Sequence, residues 1–319
     1  MTEQIAAQTA PLREIVVISG KGGTGKTSLT AAFAACAAGE GKPVLCDLDV
    51  DTPDLHIVLA PEVRETFEFR GRGKAVIAQP LCSACGECGR HCRFGAIVAG
   101  EGGKPFIDPL ACEGCGVCKA FCPQEAIALP DIICGEWHVS DTRFGPLVHA
   151  VLRPGQENSG RLVSLIKQEA RNLARKTGRD TLLCDGSPGT GCPVISSLSG
   201  ATLAVCVIEP SLSGRSDFER VASVCRHFRI PVGVVINRCT LNPGITGQLE
   251  VFCRQEGYEI FGKVPFDASL VRATAAGLAA TEEDTPLART IRDVWQRIDA
   301  FRPPVLQARP FIPAAPAGR

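Results

Sequence analysis

The sequence predicts an α/β fold, a doubly wound and mainly parallel sheet interrupted by a small α+β insert. Three observations carry this expectation. Short apolar runs that end in glycine, acid or asparagine alternate with helical patterns along most of the chain. A glycine-rich loop joins the first run to the first helix. A cysteine-dense stretch with its own repeat then breaks the alternation between residues 78 and 130. The expected divisions are 1–77 and 131–302 for the two parts of the α/β domain, 78–130 for the insert, and 303–319 for a flexible Pro/Ala-rich tail.

The first strand is residues 14–19, EIVVIS, and it ends in GKGGTGKTS, residues 20–28, before the apolar helical pattern SLTAAFAACAAGEG. Strand, glycine-rich loop and helix form the context of a P-loop, and Gly20 to Thr27 satisfies GxxxxGK[ST]. Gly20, Gly22, Gly23 and Gly25 let backbone N–H groups from Gly20 through Lys21, Thr24 and Ser28 point at phosphate oxygens, and the helix N-terminus adds partial positive charge. Lys26 is placed to reach the β/γ-phosphates of ATP and Thr27 to ligate Mg²⁺. The bland alternative is a glycine-rich turn that merely precedes a helix.

A second buried-looking strand lies within residues 43–48, and the run PVLCDLD ends in the carboxylates Asp47 and Asp49, with Asp51 and Asp54 close behind. After the cysteine segment, Leu162, Leu165, Ile166 and Leu173 place an apolar stripe on a helix over 159–177. A strand over 181–185 ends in Asp185, with Gly189 beyond it; further strands are expected over 202–208, 232–237 and 259–264, the second ending in Asn237. GKVPFD, with Pro265 and Asp267, follows the last, and a helix over 286–300 closes the pattern. An asparagine after a strand is by itself most often a turn residue.

Two identical cysteine runs fill the insert. Cys82-x2-Cys85-x2-Cys88-x3-Cys92 is followed by Cys112-x2-Cys115-x2-Cys118-x3-Cys122, the second closed by Pro123. This is the spacing of a bacterial-type ferredoxin with two clusters, in which the fourth cysteine of each run ligates the other run's cluster. One [4Fe-4S] cluster is expected on Cys82, Cys85, Cys88 and Cys122, the other on Cys112, Cys115, Cys118 and Cys92. Zinc sites, often built from two CxxC pairs, leave the third cysteine of each run unexplained. Disulfides fit poorly with a start that has no secretory character and with unpaired cysteines elsewhere. Arg93 stands where such runs carry proline, which alters the surroundings of one cluster and not its ligands. Nine further cysteines (Cys36, Cys46, Cys134, Cys184, Cys192, Cys206, Cys225, Cys239 and Cys253) read as small core residues. Cys192, in GTGCP, is read as packing too, the alternative being a cluster shared across a dimer face.

Composition narrows the function classes. Lys+Arg and Asp+Glu both total 34, so no polyanion-binding surface is implied. Aromatic residues make up 5%, with a single Tyr, which leaves little for base stacking and argues against nucleic acid. Apolar stretches break off before the roughly 20 residues of a membrane span, and seventeen cysteines suit a reducing compartment. A cytoplasmic protein without membrane insertion is expected.

Lys21, directly after the first glycine of GKGGTGKT, resembles the deviant Walker A motif of the MinD/ParA and nitrogenase-iron-protein ATPases. Over residues 14–300 the chain resembles MinD-superfamily, SIMIBI-class P-loop NTPases that carry an inserted ferredoxin domain. The resemblance implies an ATP-dependent homodimer in which Lys21 crosses the interface to the partner's nucleotide. It implies that Asp49 is the switch I aspartate orienting the attacking water, and that Asp185 is the Walker B aspartate reaching Mg²⁺. Gly189 matches the switch II glycine that senses the γ-phosphate, Asn237 the residue reading the adenine edge, and Pro265 and Asp267 a second base-side loop. Ser187 stands where many relatives have proline, and the final RPPVLQARPFIPAAPAGR lacks the amphipathic period of a MinD membrane helix.

The leading expectation is a Mg²⁺-dependent ATPase, slow without its partner. Its nucleotide state would be coupled to electron transfer through two [4Fe-4S] clusters to an unidentified redox or client protein. An iron–sulfur assembly or carrier ATPase is the first alternative, weakened because no CxxC occurs outside residues 82–118. A MinD-like positioning ATPase with structural or sensory clusters is the second.

Overall fold

The computed structural model describes residues 12–39, 41–155 and 159–302, so the expected tail over 303–319 lies outside the described residues. β1 (Arg13–Ser19) leads through the glycine loop to α1 (Lys26–Ala38), followed by β2 (Val44–Asp47), α2 (Leu55–Leu59) and the long β3 (Glu62–Arg72). The cysteine segment contains β4 (Val76–Ile77), α3 (Glu87–His91), β5 (Ile97–Ala99), β6 (Pro105–Ile107), α4 (Val117–Ala120) and β7 (Ile127–Ala128). The chain returns through β8 (Asp131–Thr142) and β9 (Gly145–Leu152) to α5 (Ser159–Thr177), β10 (Thr181–Pro188) and α6 (Cys192–Leu198). It ends with β11 (Leu203–Ile208), α7 (Gly214–His227), β12 (Val232–Asn237), α8 (Pro243–Gln255), β13 (Glu259–Val264), α9 (Ala268–Ala275) and α10 (Pro286–Ala300).

Two compact units result, one from Met1–Thr66, His138–Val151 and Ser159–Arg319, the other from Phe67–Trp137 and Leu152–Asn158. The second is wider than the expected 78–130 insert because β3 and β8 run on beyond the cysteine segment.

Nine strands form one sheet in the order β13-β12-β11-β1-β10-β2-β9-β8-β3. The pairings from β13 through to β9 are parallel. β10 lies between β1 and β2 while β11 takes the other side of β1, so successive crossovers leave in opposite directions. Such a sheet binds ligands at the carboxyl ends of its strands, where the loops part. Its strands are near-continuous apolar runs, as a parallel sheet covered on both faces requires: Ile15, Val16, Val17 and Ile18 are all fully buried.

The predicted strands appear within a few residues of their expected limits, and α5 and α10 cover the expected spans. The α5 stripe is turned relative to expectation. Leu162, Val163, Ile166, Lys167, Ala170 and Ala174 face inward, while Leu165 and Leu173 are half-buried. Lys167 can be sunk because its Nζ donates to Ser197 O at 2.5 Å and Ser199 O at 2.9 Å, with Glu14 Oε2 3.4 Å away. Strands β3, β8 and β9 were not anticipated; β3 reads EVRETFEFRGR, mostly charged and mostly exposed, with only Phe69 and Gly71 buried.

In the second unit, β4 pairs with β7 and β5 with β6, both antiparallel. Its core is one small cluster in which Ala75, Ala96, Ile107 and Ile127 pack with Cys88, Cys112 and Cys118. A core so small and so rich in thiols is of the kind usually stapled by metal or disulfide.

Candidate functional site

The first candidate site lies where β1 ends. Gly25 caps α1 at φ 88°, in the left-handed region that favours glycine, and a Cβ there would collide with Asn237 Nδ2. The first turn of α1 carries no acidic residue and no side-chain cap, so its free amides and partial positive charge are left for an anion. Thr24 is buried, and its Oγ1 has no hydrogen-bond partner among the described residues. A buried hydroxyl without a partner is costly unless a ligand supplies one, and a phosphate oxygen fits.

Behind the loop, Lys26 Nζ donates to Asp185 Oδ1 at 2.8 Å and lies 3.8 Å from Asp49 Oδ2. Thr27 Oγ1 donates to Asp185 Oδ2 at 2.6 Å, and Thr30 Oγ1 to Asp185 Oδ1 at 3.0 Å. Asp47, the registered neighbour of Asp185 across β2 and β10, accepts the amides of Asp49 and Leu55 at 3.1 and 3.2 Å. Burial opposes the Lys26 ammonium, but Asp185, then Asp47 and Asp49, outweigh it and its pKa is raised. Burial first, and Asp185 next, push the Asp47 carboxyl well above its ordinary range. Burial also raises Asp49. The carboxylates of Asp49 and Asp185, with the Thr27 hydroxyl beside them, form a set of hard-oxygen donors around the Lys26 ammonium. That set fits a divalent cation such as Mg²⁺.

Sequence reasoning missed Thr30, and it singled out Asp49 over Asp47 only through the family resemblance. The i+4 spacing of Thr30 from Lys26 was the available signal. The fold gives the two acids different surroundings: Asp47 is sunk and anchors α2, while Asp49 stands at the site and accepts Thr52 Oγ1 at 3.3 Å.

Around the rim, Lys21 turns away from this pocket. Its Nζ lies 2.7 Å from Glu209 Oε1 and donates to the hydroxyls of Ser211 and Ser213 at 3.2 Å. Gly189 N–H donates to Ser19 O at 2.9 Å, which holds the loop after β10 against the end of β1. Ser187, at the position noted for its missing proline, donates to Leu48 O at 2.6 Å. Asn237 is buried and its amide donates to Thr24 O at 2.7 Å, so it ties down the glycine loop. Asp267 caps α9 by accepting the Ser269 amide at 2.8 Å, a bond that lowers its pKa; Pro265 precedes it on the loop after β13. Ser28 accepts from Thr274 of α9 at 3.3 Å.

The second candidate site is double. One pocket is lined by Cys82, Cys85, Cys88 and Cys122, and another by Cys92, Cys112, Cys115 and Cys118. Each holds three cysteines of one run and the fourth of the other. Among the described residues no group of three or more His, Cys, Asp or Glu is arranged to hold a single ion. Ala84 at φ 57° and Gly114 at φ 61° occupy the same place in each run, where the left-handed turn aims their amides back at sulfur. Ala84 N–H donates to Cys82 Sγ at 3.4 Å and Ala126 N–H to Cys122 Sγ at 3.3 Å. Ala75 and Gly114 both donate to Cys112 Sγ at 3.5 Å. Such bonds favour thiolates and fit the donor set of an iron–sulfur cluster.

Of the remaining cysteines, Cys46, Cys134, Cys184, Cys206, Cys225 and Cys253 are buried and Cys36 and Cys239 half-buried. Cys192 is exposed at the start of α6, so the packing role expected for it does not hold. The loop GTG leaves its helix end at the surface, close to Gly160 of α5. No helix of the described residues is long and apolar enough to cross a membrane.

Comparison with known proteins agrees with this architecture. The CobQ/CobB/MinD/ParA nucleotide binding domain matches residues 15–280. The protein MJ0578 of Methanocaldococcus jannaschii is 28% identical over 290 residues, 91% of this chain and 98% of that one. The MinC:MinD cell division complex of Aquifex aeolicus superposes with a TM-score of 0.56 at 19% identity, covering 92% of this chain and 98% of that chain. A shorter stretch of 58 residues, 18% of this chain and 9% of the relative, is 48% identical to indolepyruvate oxidoreductase subunit IorA of Methanothermobacter thermautotrophicus.

Proposed function

The chain belongs to the CobQ/CobB/MinD/ParA nucleotide-binding family and carries a ferredoxin-like insert; from that premise we propose that it is an ATP-hydrolysing iron–sulfur protein whose nucleotide state governs electron transfer. The observation that supports this most is the coexistence in one chain of a glycine loop backed by Lys26 and Asp185 with two pockets of four cysteines each.

The loop amides and Lys26 bind the β- and γ-phosphates of ATP, and Asp49 orients the water that attacks the γ-phosphorus. Mg²⁺, held by Thr27 with Asp49 and Asp185, would neutralise charge on the phosphates. Gly189 senses the γ-phosphate, and Asn237, with Pro265 and Asp267, faces the base. Lys21 acts on the nucleotide of a second copy, which makes the catalytic assembly an ATP-dependent homodimer. Cys82, Cys85, Cys88 and Cys122 would hold one [4Fe-4S] cluster and Cys92, Cys112, Cys115 and Cys118 the other, supplying one-electron chemistry. The partner is a redox or client protein, met in a reducing compartment. Turnover is slow until that partner binds.

The test is anaerobic. Cluster potentials and capture of partner proteins are measured without nucleotide, with ADP, and with a non-hydrolysable ATP analogue. We expect the ATP-like state to differ from the other two in both readouts, and the difference to vanish in Lys26→Ala. Identical potentials and identical capture in all three states would refute the coupling.

A further inference from the structure

Lys21 carries its charge away from the phosphate loop, and the acceptors that receive it are prearranged. Glu209, Ser211 and Ser213 follow β11 in a tight turn, in which the Ser211 amide donates to Glu209 O at 2.8 Å and the Gly214 amide to Ser211 O at 3.0 Å. A Cβ on Gly214 would collide with Glu209 O, so this turn is closed by a close approach that glycine permits. The two oxygens of Glu209 are divided between two cations: Oε1 faces Lys21 at 2.7 Å, and Oε2 accepts from Arg238 Nη1 at 3.1 Å. Arg238 directly follows Asn237 at the end of β12.

This division has a consequence for release. Removing the sole partner of a half-buried carboxylate leaves an uncompensated charge and is costly. Glu209, only 19% exposed along its side chain, keeps Arg238 when Lys21 departs, so departure strands no charge. Lys21 itself is 35% exposed and can swing outward into solvent. The arrangement holds a lysine while letting it go easily.

We propose that Glu209 is a positioning residue for Lys21: it holds Lys21 at rest within its own chain and releases it, retaining Arg238, to the phosphates of a second copy's nucleotide. This rests on the reading of Lys21 as a lysine that acts across an ATP-bound pair. Two such holds are released per dimer, so the hold sets the protein concentration at which dimers form.

The experiment uses full-length protein carrying Asp49→Ala, to block hydrolysis, in Mg-ATP under anaerobic conditions, with the dimerisation midpoint read by light scattering. Glu209→Gln should lower the midpoint about fivefold, the summed effect of two partly exposed ion pairs. Glu209→Asp should stay near the parent, and Ser211→Ala/Ser213→Ala should shift the midpoint in the same direction by less. In a Lys21→Ala background Glu209→Gln should change nothing, a coupling that a merely structural role would not produce. If the Asp49→Ala parent forms no dimer with ATP, the reading of Lys21 falls and the hold with it. If the parent dimerises but Glu209→Gln leaves the midpoint unchanged or raises it, the hold alone is overturned.

Discussion

Replacing Lys26 by methionine tests the electrostatic centre of the nucleotide site without any ligand. The Lys26 ammonium sits 2.8 Å from Asp185 Oδ1, and both Asp185 and Asp47 are fully buried. Breaking a buried pair from one side costs about 3–5 kcal/mol, because the remaining charge is left uncompensated. Proton uptake relieves part of this, so the lower figure applies. For a unit of this size about 3 kcal/mol lowers the unfolding midpoint by roughly 6–12 °C. The pH dependence has a definite sign. Asp47 already titrates above its ordinary value, so its contribution to stability is present at low pH and is lost as pH rises through its folded pKa. Without Lys26 that pKa moves further up, and the deficit of the variant must grow with pH. Thermal unfolding of nucleotide-free protein, followed through Trp295 at pH 5 and pH 8, should show the deficit mainly at pH 8. The double variant Lys26→Met/Asp185→Asn should recover much of it. A Lys26→Met protein that unfolds at the parent temperature at pH 8, or whose deficit does not change with pH, would show that these carboxylates do not depend on Lys26.

Other expectations concern the loop, the clusters and the histidines. Gly25→Ala should cost about 2 kcal/mol of stability, since φ is 88° and Asn237 blocks a Cβ, whereas Gly22→Ala, where a Cβ meets nothing within 4 Å, should stay within about 0.5 kcal/mol in denaturant titrations. Anaerobic protein should hold about eight iron and eight sulfide per chain, and Cys122→Ser should reduce the count toward about four by damaging only the pocket it shares with Cys82, Cys85 and Cys88; zinc in place of iron would overturn the assignment. His149, buried and held at about pKa 4 by burial and then by His138 and His56, is neutral in the fold. Stability should therefore be full above about pH 6.5 and fall by up to ~3 kcal/mol as pH drops toward 4, a slope that His149→Gln should flatten. Lys21→Ala should slow ATP hydrolysis steeply while nucleotide binding by the Lys26 loop persists, measured as kcat against ATP affinity; full activity would remove the partner-directed role of Lys21.

Much of the molecule was legible as a string of residues because its strongest signals are local. EIVVIS and LAVCVI are strands buried on both faces, so apolar side chains run on consecutively instead of alternating, a pattern that writes itself into the sequence. The glycine loop is a contiguous motif, and the cysteine spacing encodes how thiols wrap a cluster, so the crossed sets of four could be named before the pockets that join them were seen. What the chain could not disclose are contacts between residues far apart in order. β3 is an exposed, charged strand whose place is set by its neighbour in the sheet. Lys167 turns α5 because carbonyls of Ser197 and Ser199 await it. Asp47 and Asp49 look alike two residues apart, yet one anchors α2 and the other borders Lys26. Asn237 binds the Thr24 carbonyl across the sheet, and Lys21 finds Glu209 where two loops meet at the ends of neighbouring strands. Periodicity reports which face of an element is buried; only the folded sheet decides which distant polar groups that burial brings within hydrogen-bonding distance.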